Sequence, residues 1–463
     1  MRQSKNNSIN IIVVAVLLIV IGVGGFIYLS PQFEQDKPLI KFDEKREFWN
    51  LKDSLKVNIS DESGIKYYKV IYKDDSNETV LEKEVLKEAK NSIDLEIKAP
   101  KLDMFFKGEN VSIIIEAIDK SKWNFFEGNK IEKEFKIKID KKSPVANVIS
   151  NSFAIRKGGS AVVVVEVKDE NLKDAYISFN DEKRFELIPF YKENFYISLI
   201  AWPVTIEDFQ RVNLVAIDKA QNKSLTKVPL YIRKLRVKHD NIKISDNFVK
   251  NISVNVLEKS GLDVPNDIKE IFVKENKVLR KLNSDVVEEI TKKFMDKELL
   301  SDFSIKPFKR LSGSKTVAGF ADRRHYFYNG EKIDEAWHLG MDWASVKHAP
   351  IKTTNDGKVI FNDYLGIYGN TIIIDHKLGL QTLYAHTSKS NVTVGQRVSA
   401  NSIIANTGST GAVFGDHLHF GVLVQGIEVN PLEWMDRNWI RTRITDVLNE
   451  AKKVINSKWD KEQ

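Results

Sequence analysis

The chain of 463 residues contains no cysteine and only eight histidines. The lack of cysteine excludes a disulfide framework, a thiol nucleophile and a cysteine-ligated zinc site. A strong excess of one charge is also missing, because 71 basic residues are interspersed with 64 acidic ones and the net charge is +7. No nucleic-acid motif is present, so this balance is typical of a lysine-rich solvated surface, and we expect no nucleic-acid partner.

Long apolar runs are absent except for one near the N-terminus. Residues 11–29 carry no charge, and as a helix they would span about 28 Å, enough for a bilayer core. Arg2 and Lys5 precede the run, and Glu34 and Asp36 follow it. This asymmetry predicts a single-pass anchor with its N-terminus in the cytoplasm. A cleaved signal peptide is the alternative, but no cleavage site of small residues follows the run.

Five residues in the C-terminal part have the types and spacing of a metal site. His338 and Asp342 are four residues apart, which places them on one face of a helix or of a strand. His417 and His419 are two apart in an apolar run, so in a strand their rings point the same way. His386 lies between these pairs. Each motif alone is weak, but together they favour a catalytic zinc site with three protein ligands and one open position.

The segment from about 309 to 436 carries further short motifs in a fixed order. They are FADRR (320–324), HLGMDWA (338–344), NDGKV (355–359), GNTIIIDH (369–376), TLYAH (382–386), VGQRV (394–398), GSTG (408–411), HLHF (417–420) and NP (430–431). This series resembles the lysostaphin/LytM-type zinc metallopeptidases of peptidase family M23. Two positions depart from the family pattern: Ala321 replaces a usual glycine, and so does His348, which we expect at the surface or on the rim of the groove.

The resemblance implies residue roles and a cofactor. His338, Asp342 and His419 would hold Zn²⁺, and His386 and His417 would be the catalytic histidines. Zinc acidifies water and polarises the scissile carbonyl. A neutral histidine can accept a proton, and a protonated one can stabilise the oxyanion.

The resemblance also implies a substrate and a place. We expect an endopeptidase that cuts peptide cross-links of peptidoglycan, held in the bacterial inner (cytoplasmic) membrane with its catalytic domain on the outer, periplasmic side. The alternative is a non-catalytic LytM-type module that activates a cell-wall amidase or scaffolds a cell-shape complex. Inactive members generally lose one or more of the five site residues, and this chain keeps all five.

The other histidines are expected to lie outside the chemistry. His376 ends the run Ile-Ile-Ile-Asp-His and is predicted to be structural or to support the site, with Asp375 orienting it. His239 and His325 are predicted to be solvated.

An internal repeat precedes the metallopeptidase-like segment. The sequence Ala-Ile-Asp-Lys occurs at 117–120 and again at 216–219, and Val57–Gly64 resembles the segment 165–171. Short alternating strands with turn signals over about 100 residues predict a β-sandwich, Ig-like in broad terms, for each copy. We expect the copies to be spacers, with cell-wall protein partners as the alternative.

Two segments change to a helical period. The first joins the repeats to the catalytic segment, by default as a packed linker, with a cover over the groove as the alternative. Ser284 is expected to cap a second helix within this segment. Before it, one helical face carries Ile268, Ile271, Phe272, Leu279 and Leu282. After it, another helical face carries Val286, Val287, Ile290 and Phe294. The tail predicts an amphipathic helix that packs on the chain or on a partner, through Ile440, Ile444, Val447, Leu448, Ala451 and Ile455.

We therefore predict a mainly β protein with two Ig-like β-sandwich repeats, a helical linker, a β-rich catalytic domain and a C-terminal helix. The predicted bounds are 1–10 for the cytoplasmic N-terminus, 11–29 for the transmembrane anchor, 30–42 for a linker, 43–142 and 143–236 for the repeats, 237–308 for the helical linker, 309–436 for the metallopeptidase domain and 437–463 for the helix.

Overall fold

The computed structural model describes residues 4–42, 46–75, 77–101 and 108–462. Strands make up 44% of the chain and helices 22%, with a β-rich catalytic domain and a C-terminal helix, which confirms the predicted fold class. The chain divides into two compact units. The first consists of Met1–Pro144, Glu170–Lys173 and Ile217–Lys223, and the second of Val145–Asp169, Asp174–Ala216 and Ser224–Gln463.

The chain begins with one long helix, Ser4–Leu29 (α1). Its stretch Asn10–Leu29 has a mean hydropathy of 3.0 and no buried share. Twenty apolar residues suffice to cross a membrane, although a signal sequence near an N-terminus has the same length and composition. The helix ends before Ser30. The side chain of Ser30 accepts a hydrogen bond from the backbone N–H of Gln32, in the short 3₁₀ turn Pro31–Phe33.

The first unit is built on one six-stranded sheet. Every second residue of Asn110–Asp119 is buried, the period of a strand with one covered face. The order is β1-β3-β5-β6-β2, with β4 on β3. Strands β3 and β4 are long, 19 and 20 residues, and pair with each other through several register shifts. The Ig-like arrangement of this repeat stays a prediction. The strands are Leu39–Phe42 (β1), Phe48–Trp49 (β2), Leu55–Lys73 (β3), Glu78–Ile97 (β4), Asn110–Asp119 (β5) and Lys130–Ile139 (β6).

The repeated Ala-Ile-Asp-Lys motif closes the same kind of loop twice. Asp119 is fully buried and accepts hydrogen bonds from the backbone N–H and the side-chain amide of Asn129, both at 2.8 Å. Asp218 holds Asn222 in the same way, at 2.8 and 2.7 Å. Each asparagine also donates to a backbone carbonyl of the segment that enters its repeat, at 2.9 and 2.8 Å. In both copies of the motif, the aspartate therefore accepts the same pair of hydrogen bonds from an asparagine.

The second repeat contains two four-stranded sheets and a short parallel pair. The orders are β11-β10-β14-β15, β12-β13-β9-β7 and β16-β8. Nearly all of Ser160–Lys168 is buried, as expected of a strand covered on both faces. The strands are Val145–Asn151 (β7), Ala154–Arg156 (β8), Ser160–Lys168 (β9), Leu172–Phe179 (β10), Lys183–Glu186 (β11), Ile188–Pro189 (β12), Phe195–Ala201 (β13), Val212–Asp218 (β14), Lys223–Lys227 (β15) and Tyr231–Arg233 (β16).

The segment 237–308, predicted to be a helical linker, packs into the catalytic domain. It opens with a strand, Lys238–Lys243 (β17), which pairs in parallel with Asp322–Tyr328 (β19). Several helices follow, two of them with π geometry. They are Asp246–Phe248 (α2), Val249–Ser253 (π), Val254–Lys259 (α3), Ile268–Val273 (α4), Lys274–Leu279 (π) and Arg280–Lys293 (α5).

The π turns explain where the predicted helical face fails. The helix runs through Ser284, the expected cap. Leu279 is 2% exposed but Leu282 is 44% exposed, because a π turn shifts the apolar face by one residue. The buried side joins one core with the catalytic strands, in which Leu279 and Val287 lie with Leu383.

The catalytic region contains an eight-stranded sheet and two three-stranded sheets. The orders are β18-β21-β29-β25-β24-β23-β27 with β30 on β29, β17-β19-β20 and β22-β28-β26. The further strands are Lys315–Ala318 (β18), Glu331–Trp337 (β20), Met341–Ala344 (β21), Pro350–Lys352 (β22), Gly357–Tyr364 (β23), Asn370–Asp375 (β24), Leu380–Ala385 (β25), Thr387–Ser390 (β26), Arg397–Val398 (β27), Ile403–Thr407 (β28), Leu418–Val424 (β29) and Ile427–Val429 (β30).

The chain ends in helices that cover the second unit. The predicted apolar face of the tail is buried, with Ile444, Leu448, Ala451 and Ile455 almost inaccessible. That face is therefore covered by the chain itself, which is one of the two arrangements that the sequence allowed. The helices are Pro431–Met435 (α6), Arg437–Ile440 (α7), Arg441–Thr445 (π) and Asp446–Glu462 (α8).

Buried polar contacts fasten the second repeat to the catalytic strands. Gln425, which follows β29, donates to the hydroxyl of Ser198 at 3.2 Å and to the carbonyl of Leu199 at 3.1 Å. The indole N–H of Trp434 donates to the hydroxyl of Ser160 at 3.0 Å. The second repeat therefore packs directly on the catalytic strands. From the sequence we expected it to be a spacer.

Candidate metal centre and active site

Strand register brings the site residues together. Strand β21 pairs antiparallel with β29, and Asp342 lies opposite His419. On the other edge of β29, Ala385 lies opposite His419, so the next residue, His386, leaves its strand beside the same point. All of β29 is buried. The apolar run predicted to be a strand is one, and its burial holds the histidine in place.

Three donor atoms converge in this region. Nδ1 of His419 lies 2.8 Å from Oδ1 of Asp342 and 3.2 Å from Nε2 of His338. Nε2 of His338 lies 3.0 Å from Oδ2 of Asp342. All three residues are buried, and one ligand atom from each lies within 4.8 Å of the others. Two imidazoles and a carboxylate form a donor set typical of catalytic zinc, so the residues fit that ion.

Neighbouring backbone fixes how these ligands are presented. Nδ1 of His338 donates to the carbonyl oxygen of Gly319 at 2.7 Å, which turns Nε2 toward the other donors. A Cβ at Gly340 would lie 2.5 Å from Nε2 of His419. Only glycine at this position lets the imidazole occupy its place.

The electrostatics favour the metal-binding forms of the ligands. Burial by itself would raise the pKa of Asp342, but the imidazoles of His338 and His419 hold that pKa well below its usual range. Burial lowers the pKa of His419 to about 4, although Asp342 opposes the shift. At neutral pH the centre therefore offers an ionised carboxylate and a neutral imidazole, as metal binding requires.

His386 and His417 flank this centre. Their ring centroids are 4.9 Å apart, and the ring of His386 lies 5.8 Å from that of His419. Nδ1 of His386 donates to the carbonyl of Thr410 at 2.8 Å, and Nδ1 of His417 lies 3.0 Å from the carbonyl oxygen of Gly415. Burial lowers the pKa of His386 to about 3, and repulsion from the other two histidines adds to the shift. His386 is therefore neutral at pH 7, with Nε2 able to accept a proton.

Two neighbours of the centre were missed by sequence reasoning. Nη2 of Arg324 lies 3.2 Å from Oδ2 of Asp342. The ring of Tyr368 packs 5.6 Å from that of His419, and its hydroxyl donates to Glu428 at 3.3 Å. Arg324 stands inside a quoted motif and Tyr368 directly before another. The sequence signal was therefore present, but only the tertiary structure places both side chains at the site.

A cavity of about 600 Å³ opens at the centre. Asp342 and His417 lie on its wall, and so do Ser245 and Phe248 of the segment 237–308. The ring of Phe248 packs edge to face on Phe414 at 4.9 Å. The helical segment therefore lines the site as well as sharing its core.

The remaining histidines lie outside the centre. His376 is bonded at both nitrogens, 2.7 Å from the carbonyl of Asp356 and 2.9 Å from the hydroxyl of Thr382, so it is structural. Asp375 does not orient it, since the carboxylate accepts from Lys377 and Gln381.

Three further histidines lie at or near the surface. The exposed His348 contacts the hydroxyl of Ser388 at 3.1 Å. His239 and His325, predicted to be solvated, stack on each other with ring centroids 5.3 Å apart. They lie on the neighbouring strands β17 and β19, where His239 pairs with Arg323 and His325 with Asn241.

Comparison with known proteins agrees with this geometry. Residues 336–431 match the model of Peptidase family M23, so the chain contains a peptidase M23 domain. DD-carboxypeptidase/endopeptidase Mpg of Neisseria meningitidis serogroup B is 36% identical over 107 residues, which are 23% of this chain and 25% of that protein. Peptidoglycan DD-endopeptidase ShyB of Vibrio cholerae serotype O1 is 36% identical over 117 residues, 25% of this chain and 27% of that one.

The matches also include a protein named for activation. Murein hydrolase activator EnvC of Escherichia coli is 35% identical over 109 residues, 23% of this chain and 26% of that protein. Among solved structures, the catalytic domain of lysostaphin from Staphylococcus simulans is 29% identical, with a TM-score of 0.23, over 27% of this chain and 94% of that one. The chain spans about a quarter of the length of the curated relatives named here.

Proposed function

We propose that this chain is a zinc-dependent endopeptidase that hydrolyses peptide cross-links of peptidoglycan during cell-wall remodelling. The observation that carries the proposal is the convergence of two histidines and one aspartate, with two further histidines beside them, inside a peptidase M23 domain. Relatives named peptidoglycan DD-endopeptidases support the substrate class.

In this proposal His338, Asp342 and His419 are the metal ligands. When bound, zinc would supply Lewis-acid chemistry, polarising the scissile carbonyl and acidifying water. The hydrogen bond from His338 to Gly319 and the pairing of Asp342 with His419 preorganise the donors. Little reorganisation is then needed when the ion binds.

His386 and His417 are the proposed catalytic pair. His386 is neutral because of its burial and donates from Nδ1 to Thr410, so its Nε2 is suited to accept a proton from the attacking water. His417 carries Nε2 3.9 Å from Oδ1 of Asp342. A proton held there would let His417 donate a hydrogen bond to the developing oxyanion.

We further propose that α1 anchors the protein in the inner membrane, with the catalytic domain on the periplasmic side. The helix has the length and composition for this role. Peptidoglycan lies on that side of the membrane, so the proposed substrate and the proposed topology agree.

A second candidate is activation of a separate cell-wall amidase, supported by the similarity to EnvC. The two candidates differ in whether the five site residues are needed. An activator works through its binding surface and does not need a proton acceptor such as His386, whereas hydrolysis does.

The deciding experiment is digestion of purified peptidoglycan by the full chain in a non-ionic detergent, with fragments identified by mass. We expect zinc-dependent release of fragments that each gain one water per bond cut, and no release by His338→Ala. The activator function would be favoured if the zinc-loaded protein releases no fragments but stimulates an added amidase, and if His338→Ala stimulates it equally.

A further inference from the structure

Three arginines line a second cavity, of about 300 Å³, in the unit that carries the active site. The arginine pocket is defined here by Arg156, Arg233 and Arg443, and Glu433 and Trp439 also line it. It shares no lining residue with the cavity at the candidate metal centre.

The pocket holds like charges at close quarters. In the parallel pair β16–β8, Arg233 lies directly opposite Arg156. Like charges in this position destabilise a strand pair. Arg443 comes from the C-terminal helical region, and burial together with repulsion from Arg233 lowers its pKa, although Glu433 opposes the shift. A bound anion would relieve the remaining repulsion.

The chain supplies only part of that charge in the described residues. Two carboxylates, Glu433 and Asp436, line the pocket beside the three arginines, and Glu433 interacts electrostatically with Arg156 and Arg443. Of the two carboxylates that line the pocket, Glu433 accepts from the backbone N–H of Ser160 at 2.9 Å. Asp436 accepts from the backbone N–H groups of Asn438 and Trp439, at 2.7 and 3.2 Å. Both carboxylates thus also serve backbone donors, and the guanidinium of Arg443 lies over the ring of Phe153 at 5.6 Å. The three arginines outnumber the two carboxylates, so the lining keeps an excess of positive charge.

We propose that the arginine pocket binds an oxyanion group that carries two negative charges, such as a phosphate or a paired dicarboxylate. Guanidinium groups present planar forks that match such oxygens two at a time. An anion between Arg156 and Arg233 turns their repulsion into two attractions. Trp439 adds a flat apolar wall for the carbon part of the ligand. The site is independent of the proposed hydrolysis.

The test uses the full chain in a non-ionic detergent, in low-salt buffer free of phosphate. Inorganic phosphate and glutarate are titrated separately by calorimetry, and thermal unfolding is followed with and without each probe. We expect at least one probe to bind with a stoichiometry of one and to raise the Tm. Binding of phosphate alone assigns the source to a phosphate group, and binding of glutarate assigns it to carboxylates.

The decisive variant is Arg156→Gln with Arg233→Gln, which should weaken probe binding at least about tenfold. The control is Arg441→Gln, which removes one positive charge two residues from Arg443, at an arginine that pairs with Asp446 and does not line the pocket. It should bind like the wild type. Without any anion, the double variant should have the same Tm as the wild type or a higher one, because the repulsion is gone.

Three results would overturn the proposal. The first is that neither probe binds. The second is equal binding by the wild type and the double variant, or equal loss in Arg441→Gln, which means an adventitious ion only or a response to net charge. The third is a lower Tm of the double variant without anion, which means that the arginines are structural.

Discussion

At the scale of single residues, the metal centre depends on small side chains and backbone groups as much as on its ligands. Gly340 leaves the space that the imidazole of His419 fills, and the carbonyl of Gly319 sets the orientation of His338. Such supporting groups commonly change metal affinity 10–100-fold when lost. The motif His-Leu-Gly-Met-Asp is therefore a geometric unit in which the glycine has its own function.

The first prediction concerns this glycine. In Gly340→Ala the new methyl group would lie 2.5 Å from Nε2 of His419 and 2.7 Å from the carbonyl oxygen of Phe420, so the imidazole must move. We expect zinc affinity to fall roughly 10–100-fold, measured by competition with a chelator. The control is His348→Ala, an exposed side chain that contacts Ser388 and lies outside the ligand set. Unchanged affinity in Gly340→Ala would remove His419 from the ligand set.

The second prediction separates ligands from catalytic groups. His386→Ala and His417→Ala should keep their zinc and lose hydrolysis by roughly 10²-fold or more, because each removes a proton-transfer group or an oxyanion donor. The exposed His348 provides a control, and His348→Ala should stay near the wild-type rate. Zinc content and fragment release are measured on the same samples. A variant that keeps its rate would show that its histidine is structural.

At the scale of elements, the segment 237–308 is part of the catalytic domain. Its strand extends a catalytic sheet, its helices share the catalytic core, and Phe248 reaches the cavity at the metal centre. The sequence predicted the apolar positions of these helices, but π turns decided which of them face inward.

The third prediction tests this shared core with one pair of leucines. Leu279→Ala should lower the free energy of unfolding of the catalytic domain by about 2–5 kcal/mol, the usual cost of a buried leucine truncation. Leu282→Ala, three residues on and 44% exposed, should cost much less. Thermal and denaturant unfolding of the two variants give the comparison. Equal, small effects would mean that the segment is a separable linker.

At the scale of the whole molecule, most of the second repeat and the catalytic domain belong to one compact unit. The carboxylate of Glu433 contributes to the junction, since it accepts from the backbone N–H of Ser160 at 2.9 Å. Burial raises the pKa of Glu433 to about 7, although Ser160, Arg156 and Arg443 oppose the shift. The junction therefore responds to pH.

The fourth prediction follows from that pKa. Because the folded state binds this proton more tightly than the unfolded state does, the stabilisation is complete below a pH of about 4.5 and is lost as the pH rises through about 7. Between pH 5 and pH 8 the wild type should lose more stability than Glu433→Gln. The exposed Glu450 gives the control Glu450→Gln, which should follow the wild type. Parallel curves for the wild type and Glu433→Gln would contradict the prediction.

The fifth prediction concerns the N-terminal helix. The apolar stretch Asn10–Leu29 should keep the full-length protein in the membrane fraction through washes with high salt and carbonate. Protease should reach the C-terminal domain only from the outer face, because Arg2 and Lys5 stay in the cytoplasm. A soluble mature form that begins near residue 30 would mean that the helix is a cleaved signal peptide.

The sequence by itself determined the features that are local or carried by short motifs. The uncharged run predicted α1, alternation predicted the strands, and motif spacing singled out His338, Asp342, His386, His417 and His419. These features can be read from the sequence because spacing along a strand or helix fixes which side chains share a face.

Only the tertiary structure decided what depends on contacts between distant segments. It placed Arg324 and Tyr368 at the centre, and it made the expected linker a wall of the active-site cavity. It also set Arg156 opposite Arg233. No local pattern encodes these pairings, because they follow from how strands far apart in the chain align and how their shared core closes.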